Sequence, residues 1–163
     1  MSAPKKLKTT IKGETGLSVK VSTQIHKIWS AHRQINKKTP EACGVLIGGY
    51  NENTNDIYLE ACTTPQKDDE RKRTHFSLKS KSHQQAVNKA HNSSKGEQFY
   101  LGTWHSHPEK HPSPSKTDLH DWGKCMKRNP EIQLFVFAIV GTETVTIYPY
   151  KQKQKQKQKL KIC

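Results

Sequence analysis

The pattern of apolar and polar residues along the chain predicts a mixed α/β fold. Period-two alternation and short apolar runs indicate strands, whereas apolar residues that recur every three to four positions indicate helices. Strands are predicted for residues 17–21, 43–50, 57–63, 98–107, 133–140 and 144–150, and helices for residues 22–36, 77–93 and 115–128. Because strands and helices are interspersed, we expect a mixed sheet of six or seven strands with about three helices packed on it.

The three predicted helices are amphipathic and have recognisable ends. Ser22 is a plausible N-cap of the first helix, and Pro40 cannot continue it. The apolar faces consist of Ile25, Ile28, Trp29 and Ile35 in the first helix, of Leu78, Ala86, Val87 and Ala90 in the second, and of Leu119, Trp122 and Met126 in the third. His26 and His32 also lie on the first helix, where we expect them at the surface or rim.

The two ends of the chain differ in composition from the rest. The net charge of +14 at pH 7 would suit a nucleic-acid-binding protein. However, ten of the 28 basic residues lie in residues 1–12 and 151–163, so the residues between them carry only +4. We therefore predict one domain over residues 17–150, a flexible basic N-terminus over residues 1–16 and a disordered Lys/Gln tail over residues 151–163. The tail is expected to be solvated, with contact to nucleic acid or a membrane as the alternative.

The cysteines and the apolar segments indicate a compartment. Cys43, Cys62, Cys125 and Cys163 show no Cys-x-x-Cys spacing, and no apolar stretch is long enough for a signal peptide or a membrane span. We predict a cytoplasmic protein with reduced thiols and no membrane partner. Disulfides stay compatible with the sequence.

Two histidines stand at the end of the predicted strand 98–107. Residues i and i+2 of a strand share a face, so His105 and His107 point the same way and Ser106 points the other way. Pro108 ends the strand because it has no N–H to contribute to a ladder. The two imidazoles therefore leave the strand end together.

A carboxylate follows in the first turn of the helix that we predict to begin near Ser115. This residue is Asp118, and together with His105 and His107 it forms a possible three-ligand site. Three protein ligands and one water molecule are typical of catalytic zinc. The alternative is structural, since His-x-His is common on strands and Ser115-x-x-Asp118 also reads as a capping box. The two interpretations are compatible, because a cap can position a ligand.

The sequence His-Ser-His-Pro at 105–108, followed by Ser115 and Asp118, resembles the motif of the JAMM (MPN-plus) zinc metalloproteases. The spacing is His-x-His, seven residues, Ser, two residues and Asp. The upstream glutamate of that motif stands before a glycine-containing apolar strand, and Glu41 has this position. The resemblance covers roughly residues 17–150. It implies a single mixed β-sheet sandwiched between helices, akin to the cytidine deaminase fold, although the Cys-x-x-Cys ligands of deaminases are missing.

The resemblance also implies roles for five residues. His105, His107 and Asp118 would bind Zn²⁺. Glu41 would bind the attacking water and transfer its proton to the leaving amine. The Ser115 hydroxyl would stabilise the oxyanion.

The family implies the substrate class as well. Its members cut isopeptide or peptide bonds after the C-terminus of ubiquitin or ubiquitin-like proteins. A short single-domain form resembles the bacterial branch, part of which serves CBASS anti-phage operons. There a ubiquitin-like conjugating enzyme attaches a nucleotidyl cyclase to targets, and the JAMM peptidase removes it. We expect this deconjugation, with a ubiquitin-like modifier or the conjugated cyclase C-terminus as substrate. The alternatives are processing of a sulfur-carrier protein, a non-catalytic scaffold, or a nucleic-acid-binding module like the RadC-like relatives.

Other polar residues near the motif are expected to lack a metal role. They are Glu109, His111, His120 and Asp121; the last two are adjacent on the helix, so neither shares the direction of Asp118. The charged residues 64–73 are expected to form a solvated loop, although the family resemblance offers a substrate-holding role. His75 is a weaker candidate for a contact near the site.

Overall fold

A seven-stranded mixed sheet forms the centre of the fold. The computed structural model describes residues 7–12, 16–36, 38–72 and 76–152. The strands are β1 (Lys8–Ile11), β2 (Ser18–Val21), β3 (Cys43–Asn51), β4 (Asp56–Cys62), β5 (Glu70–Arg71), β6 (Phe76–Ser77), β7 (Phe99–Ser106), β8 (Leu134–Val140) and β9 (Thr144–Lys151). The helices are α1 (Thr23–Ala31), α2 (Lys81–Ser93) and α3 (Lys116–Arg128). The main sheet has the order β1-β9-β8-β7-β3-β4-β2, and β5 pairs with β6 in a second sheet.

Helices cover both faces of the main sheet, which confirms the predicted fold class. On one face, Ile25 and Trp29 of α1 pack into a core with Trp104 of β7. On the other face, Trp122 of α3 stacks on Phe137 of β8, with ring centroids 4.6 Å apart. Burial of apolar surface on both sides stabilises a sheet whose central strand β8 is apolar along its whole length.

The register brings three segments together at one end of the central strands. β3 is antiparallel to β7 and pairs Cys43 with His105. β8 is parallel to β7 and pairs Ile139 with His105. The start of β3 therefore lies beside the ends of β7 and β8, so that Glu41 and the two histidines approach each other although more than sixty positions separate them in sequence.

The N-terminal segment differs from the prediction for residues 1–16. Lys8–Ile11 form β1, an edge strand parallel to β9, and Leu7 is buried in the core. All four residues of β1 are exposed, so the strand lacks the period-two apolar pattern that sequence reading relies on. Its pairing is made by backbone groups that any sequence offers. At the other end, Lys151 belongs to β9, and the tail after Gln152 lies outside the described residues.

The predicted end of α1 and the predicted start of α2 were misplaced, and hydrogen bonds to other segments lie at both positions. α1 ends at Ala31 instead of residue 36. The buried Gln34 side chain forms hydrogen bonds with Thr39 and Ser106, and Ile35 is 68% exposed. α2 begins at Lys81 instead of residue 77, and Ser80 is its N-cap. On α3 the N-cap Ser115 is confirmed, but Leu119 is 50% exposed and does not belong to the packed face.

A buried carboxylate, Asp69, organises the segment between β4 and α2. Its Oδ1 accepts hydrogen bonds from the backbone N–H of Lys79 and Ser80, at 2.9 and 2.8 Å. Its Oδ2 accepts from the backbone N–H of Gln66 at 2.9 Å and from His83 Nε2 at 2.6 Å. Burial alone would raise the pKa of Asp69, but these hydrogen bonds outweigh it and hold the pKa below its usual value. The predicted solvated loop 64–73 is thus partly anchored, and it contains β5.

Asp69→Asn is expected to lower the free energy of unfolding by about 2–3 kcal/mol at pH 7, measured by urea denaturation. An amide has one oxygen and cannot accept all four bonds. Because the pKa of Asp69 is lowered on folding, its contribution is fully present above the unfolded pKa of about 3.9 and is lost as the pH falls through the folded value. The difference between wild type and variant should therefore shrink below about pH 4.

The exposed neighbour Asp68 provides the matched control. Asp68→Asn should change the free energy of unfolding by less than about 0.5 kcal/mol. Equal stability of the Asp69→Asn variant and wild type at pH 7, or a difference that grows at low pH, would contradict the anchoring role of Asp69.

Candidate metal centre

Strand β7 places both histidine side chains on the α3 face of the sheet. His105 lies at its end and His107 directly follows it, and both are buried. Their Nε2 atoms face each other at 3.1 Å. The shared direction expected from the His-x-His spacing is therefore present in the structure.

Helix α3 brings Asp118 to the same point. The Ser115 Oγ accepts from the Asp118 backbone N–H at 3.1 Å, and the Ser115 N–H donates to Asp118 Oδ2 at 2.9 Å, which completes a capping box. Asp118 Oδ2 lies 3.3 Å from His105 Nε2 and 3.2 Å from His107 Nε2. The cap therefore orients the carboxylate toward the histidines.

Glu41 approaches from the residues before β3 and is 2% exposed. Its Oε1 lies 3.6 Å from His107 Nε2, and its Oε2 is buried without a hydrogen-bond partner among the described residues. Ligand atoms of Glu41, His105 and His107 lie within 4.8 Å of one another. A carboxylate oxygen that is buried and unsatisfied in this way is suited to a water molecule or a cation beside it.

The three nearest ligand atoms fit a tetrahedral metal ion. They are the two Nε2 atoms and Asp118 Oδ2, and their mutual separations are 3.1, 3.3 and 3.2 Å. Zinc with bonds of about 2.0–2.1 Å holds neighbouring tetrahedral ligands about 3.3 Å apart. Two imidazoles and one carboxylate are also a ligand set that zinc accepts in catalytic sites.

The two carboxyl groups of the site have opposite pKa shifts. Burial raises the pKa of Glu41 to about 8, with a smaller increase from Asp118 and an opposing effect of His107. Burial also acts to raise the pKa of Asp118, but hydrogen bonds with His105 and His107 outweigh it and hold that pKa well below its usual range. Asp118 therefore stays ionised at neutral pH, which is the form that binds a metal ion, whereas the pKa of Glu41 lies close to neutral pH.

The pKa values of the two histidines also shift in opposite directions. Complete burial lowers the pKa of His105, against the hydrogen bond with Asp118. Burial also lowers the pKa of His107, but the contacts with Asp118, Glu41 and Glu109 together raise it above its usual value. His107 Nδ1 donates to Glu109 Oε1 at 3.0 Å, and in the neutral ring this leaves the Nε2 lone pair toward the centre.

A known protein family matches most of this chain. The family described as prokaryotic homologs of the JAB domain matches residues 24–154, which include all five residues of the predicted motif. The chain belongs to this family. The resemblance drawn from the motif is thereby confirmed at the level of the family.

Three relatives of this prokaryotic JAB protein carry the name CD-NTase/cGAS isopeptidase. One from Vibrio cholerae is 36% identical over 108 residues, which cover 65% of this chain and 67% of the relative. One from Escherichia coli is 37% identical over 93 residues, 57% of this chain and 58% of the relative. One from Pseudomonas aeruginosa is 29% identical over 110 residues, 68% of each. The matched part thus spans about three fifths to two thirds of these relatives.

The structure reveals contacts of the JAB site that sequence reading missed. Glu109 was expected to have no metal role, and it accepts a hydrogen bond from His107 Nδ1. The Phe76 ring stacks on the His105 ring, with centroids 5.0 Å apart. Arg71 Nε donates to the Glu41 carbonyl at 2.7 Å, and the Glu41 N–H donates to the Lys72 carbonyl at 2.8 Å. A carboxylate two residues after a candidate ligand was the available signal for Glu109. No local pattern marks the other contacts.

No hydrogen bond or ion pair joins His111, His120 or Asp121 to the candidate ligands among the residues that the structure describes. His111 is exposed and pairs with Glu143 at 3.9 Å. His120 and Asp121 are exposed on α3, and His75 lies outside the described residues. Burial raises the pKa of the nearby Cys43 thiol to about 12, which makes it an unsuitable nucleophile.

In the part of the chain that the structure describes, no helix has both the length and the apolar character needed to cross a membrane.

Proposed function

We propose that this protein is a zinc-dependent isopeptidase that releases a conjugated protein C-terminus from a lysine side chain. The observation that carries the proposal is the convergence of His105, His107 and Asp118 within 3.3 Å, with the buried carboxyl group of Glu41 beside them. The family and the printed name of its relatives support the choice of an isopeptide bond over other amides.

His105, His107 and Asp118 would hold the zinc ion. Zinc bound there supplies a Lewis acid, and it lowers the pKa of water from about 15.7 toward about 7. The deeply lowered pKa of Asp118 keeps its carboxylate ionised for this purpose. Glu109 supports the ligand set indirectly, because its hydrogen bond orients the His107 ring.

Glu41 transfers the proton in this scheme. It takes a proton from the attacking water and gives it to the lysine amine as the C–N bond breaks. The new C–O bond leaves a carboxylate on the released C-terminus. The Ser115 oxygen accepts a bond in the helix cap, so its hydroxyl hydrogen is not used there and is the donor that we assign to the developing oxyanion.

The substrate that we propose is a CD-NTase joined through its C-terminus to a target, in a CBASS anti-phage system. The word CD-NTase in the names of three relatives supports this substrate. A ubiquitin-like conjugating enzyme would be the source of the conjugate. Processing of a ubiquitin-like sulfur-carrier protein is the alternative that the same chemistry allows.

The test uses a bacterial CD-NTase linked by an isopeptide bond to a lysine of a carrier protein. We expect the zinc-loaded enzyme to release the intact CD-NTase C-terminus, identified by its mass. Removal of zinc with a chelator should lower the rate at least about 100-fold, and zinc should restore it whereas magnesium should not. A matched ubiquitin-like sulfur-carrier conjugate tests the alternative in the same assay.

Cleavage of the sulfur-carrier conjugate alone would reject the proposed substrate and keep the reaction. Failure of the zinc-loaded enzyme to cleave either conjugate would reject the isopeptidase proposal. A rate that is unchanged after complete removal of zinc would reject the metal dependence.

A further inference from the structure

Ser106, the residue between the two histidines, is buried and hydrogen-bonded on the opposite face of the sheet. Its side chain is 0% exposed and lies on the α1 face, because neighbouring residues of a strand alternate. Its Oγ accepts from the Ala42 backbone N–H at 2.8 Å and donates to Gln34 Oε1 at 2.7 Å. The Ser106 N–H also donates to the Ala42 carbonyl at 2.9 Å. The end of β7 is thus joined to the residue that follows Glu41.

Gln34 extends this connection to the residues that precede Glu41. Its side chain is 2% exposed, and its Nε2 donates to the Thr39 carbonyl at 2.9 Å. The Ser106–Gln34 pair therefore holds the backbone at Thr39 and at Ala42, which lie on either side of Glu41. We call this pair the brace.

The core on the face of the sheet that carries Ser106 is apolar. Ala42, Trp104 and Val140 belong to the core on this face of the sheet. Burial of a hydroxyl or an amide there costs free energy unless it is hydrogen-bonded, whereas an apolar side chain would fill the space without that cost. Packing alone therefore does not account for these two residues, but control of the backbone around Glu41 does.

We propose that Ser106 and Gln34 are positioning residues that set the Glu41 carboxyl group relative to His105 and His107. The inference rests on the proposed function, in which Glu41 transfers a proton. Ser106 links the strand that carries both histidines to the segment that carries Glu41, so a loss of the brace lets the two move independently. A displacement of about 1 Å at a reacting group can cost about 100-fold in rate.

The experiment compares Ser106→Ala, Ser106→Thr and Gln34→Met with wild type on the CD-NTase conjugate. We expect kcat to fall about 10- to 100-fold in Ser106→Ala and Gln34→Met, because proton transfer depends on geometry. KM should stay within about twofold, because the brace lies in the core on the face opposite the site. Ser106→Thr keeps the hydroxyl and should retain most of kcat. The double variant should be no slower than the slower single variant, since both substitutions break one connection.

Two controls and one spectroscopic readout accompany the kinetics. Ser18→Ala and Gln84→Met change exposed residues of the same types and should leave kcat unchanged. Zinc content and the visible spectrum of the cobalt-substituted protein should match wild type in both brace variants, because the ligand residues are intact. Thermal unfolding curves give the folded fraction of each variant at the assay temperature, and kcat is divided by this fraction.

The brace is rejected if kcat of both single variants equals that of wild type, or if Ser106→Thr is as slow as Ser106→Ala. A loss of kcat that follows a loss of zinc or of folded protein would also reject it, in favour of a purely structural role. If wild type cleaves no conjugate, the proposed function fails, and amide hydrogen exchange tests the brace independently. Faster exchange of the Glu41 and Ala42 amides in both single variants than in wild type then supports the brace, and unchanged exchange rejects it.

Discussion

Glu41→Gln is expected to lower kcat for isopeptide cleavage by about a thousandfold while the fold and the zinc content stay unchanged. Glutamine has nearly the size and shape of glutamate, so the buried position, 2% exposed, remains filled. However, its amide cannot take a proton from water or give one to the leaving amine. Steady-state kinetics on the CD-NTase conjugate, with elemental analysis of zinc on the same sample, measure both parts of this expectation.

The matched control for this substitution is Glu52→Gln, which changes an exposed glutamate on the loop after β3. It should leave kcat within about twofold of wild type. Activity of Glu41→Gln near the wild-type level would overturn the assigned role. Loss of zinc from this variant would instead indicate that Glu41 is itself a ligand, as its distance of 3.6 Å from His107 Nε2 would permit.

The double substitution His105→Ala/His107→Ala is expected to abolish zinc binding and, with it, cleavage. Wild type purified with sufficient zinc should contain about one zinc per chain, because three converging ligands make one site. The double variant loses both imidazole Nε2 atoms and keeps only Asp118 Oδ2 of the three ligand atoms that lie within 3.3 Å of one another. Elemental analysis measures the zinc content, and circular dichroism shows whether the variant is folded.

His120→Ala provides the control for the histidine pair, since His120 is exposed on α3 only two residues after Asp118. It should retain zinc and activity. Zinc retained by the double variant would show that the metal binds elsewhere. Wild type without zinc after zinc-replete purification would remove the basis of the metallopeptidase proposal and favour the scaffold or nucleic-acid-binding alternatives.

The local pattern predicted most elements correctly where the apolar period is strong. β8 and β9 are apolar over most of their length, and both were placed to within one residue. The start of α3 was also predicted, because Ser115 and Asp118 make reciprocal bonds within four residues and such a cap needs no tertiary contact. β1 was missed, since its four exposed residues carry no apolar signal and its partner β9 lies more than 130 positions away.

The candidate site also has some features that follow from local sequence and others that depend on tertiary contacts. The sequence by itself determined that His105 and His107 share a face, because alternation is a property of any strand, and that Asp118 lies in the first turn of a helix. Only the tertiary structure decided that Asp118 Oδ2 lies 3.2–3.3 Å from both imidazoles and that Glu41 lies beside them. It also decided that Arg71, Ser106 and Gln34 hold the backbone around Glu41. The position of Glu41 depends on the register of β3 against β7, and that of Asp118 depends on the packing of α3 against β8. Contacts between distant segments set both, and they leave no periodic trace in the sequence.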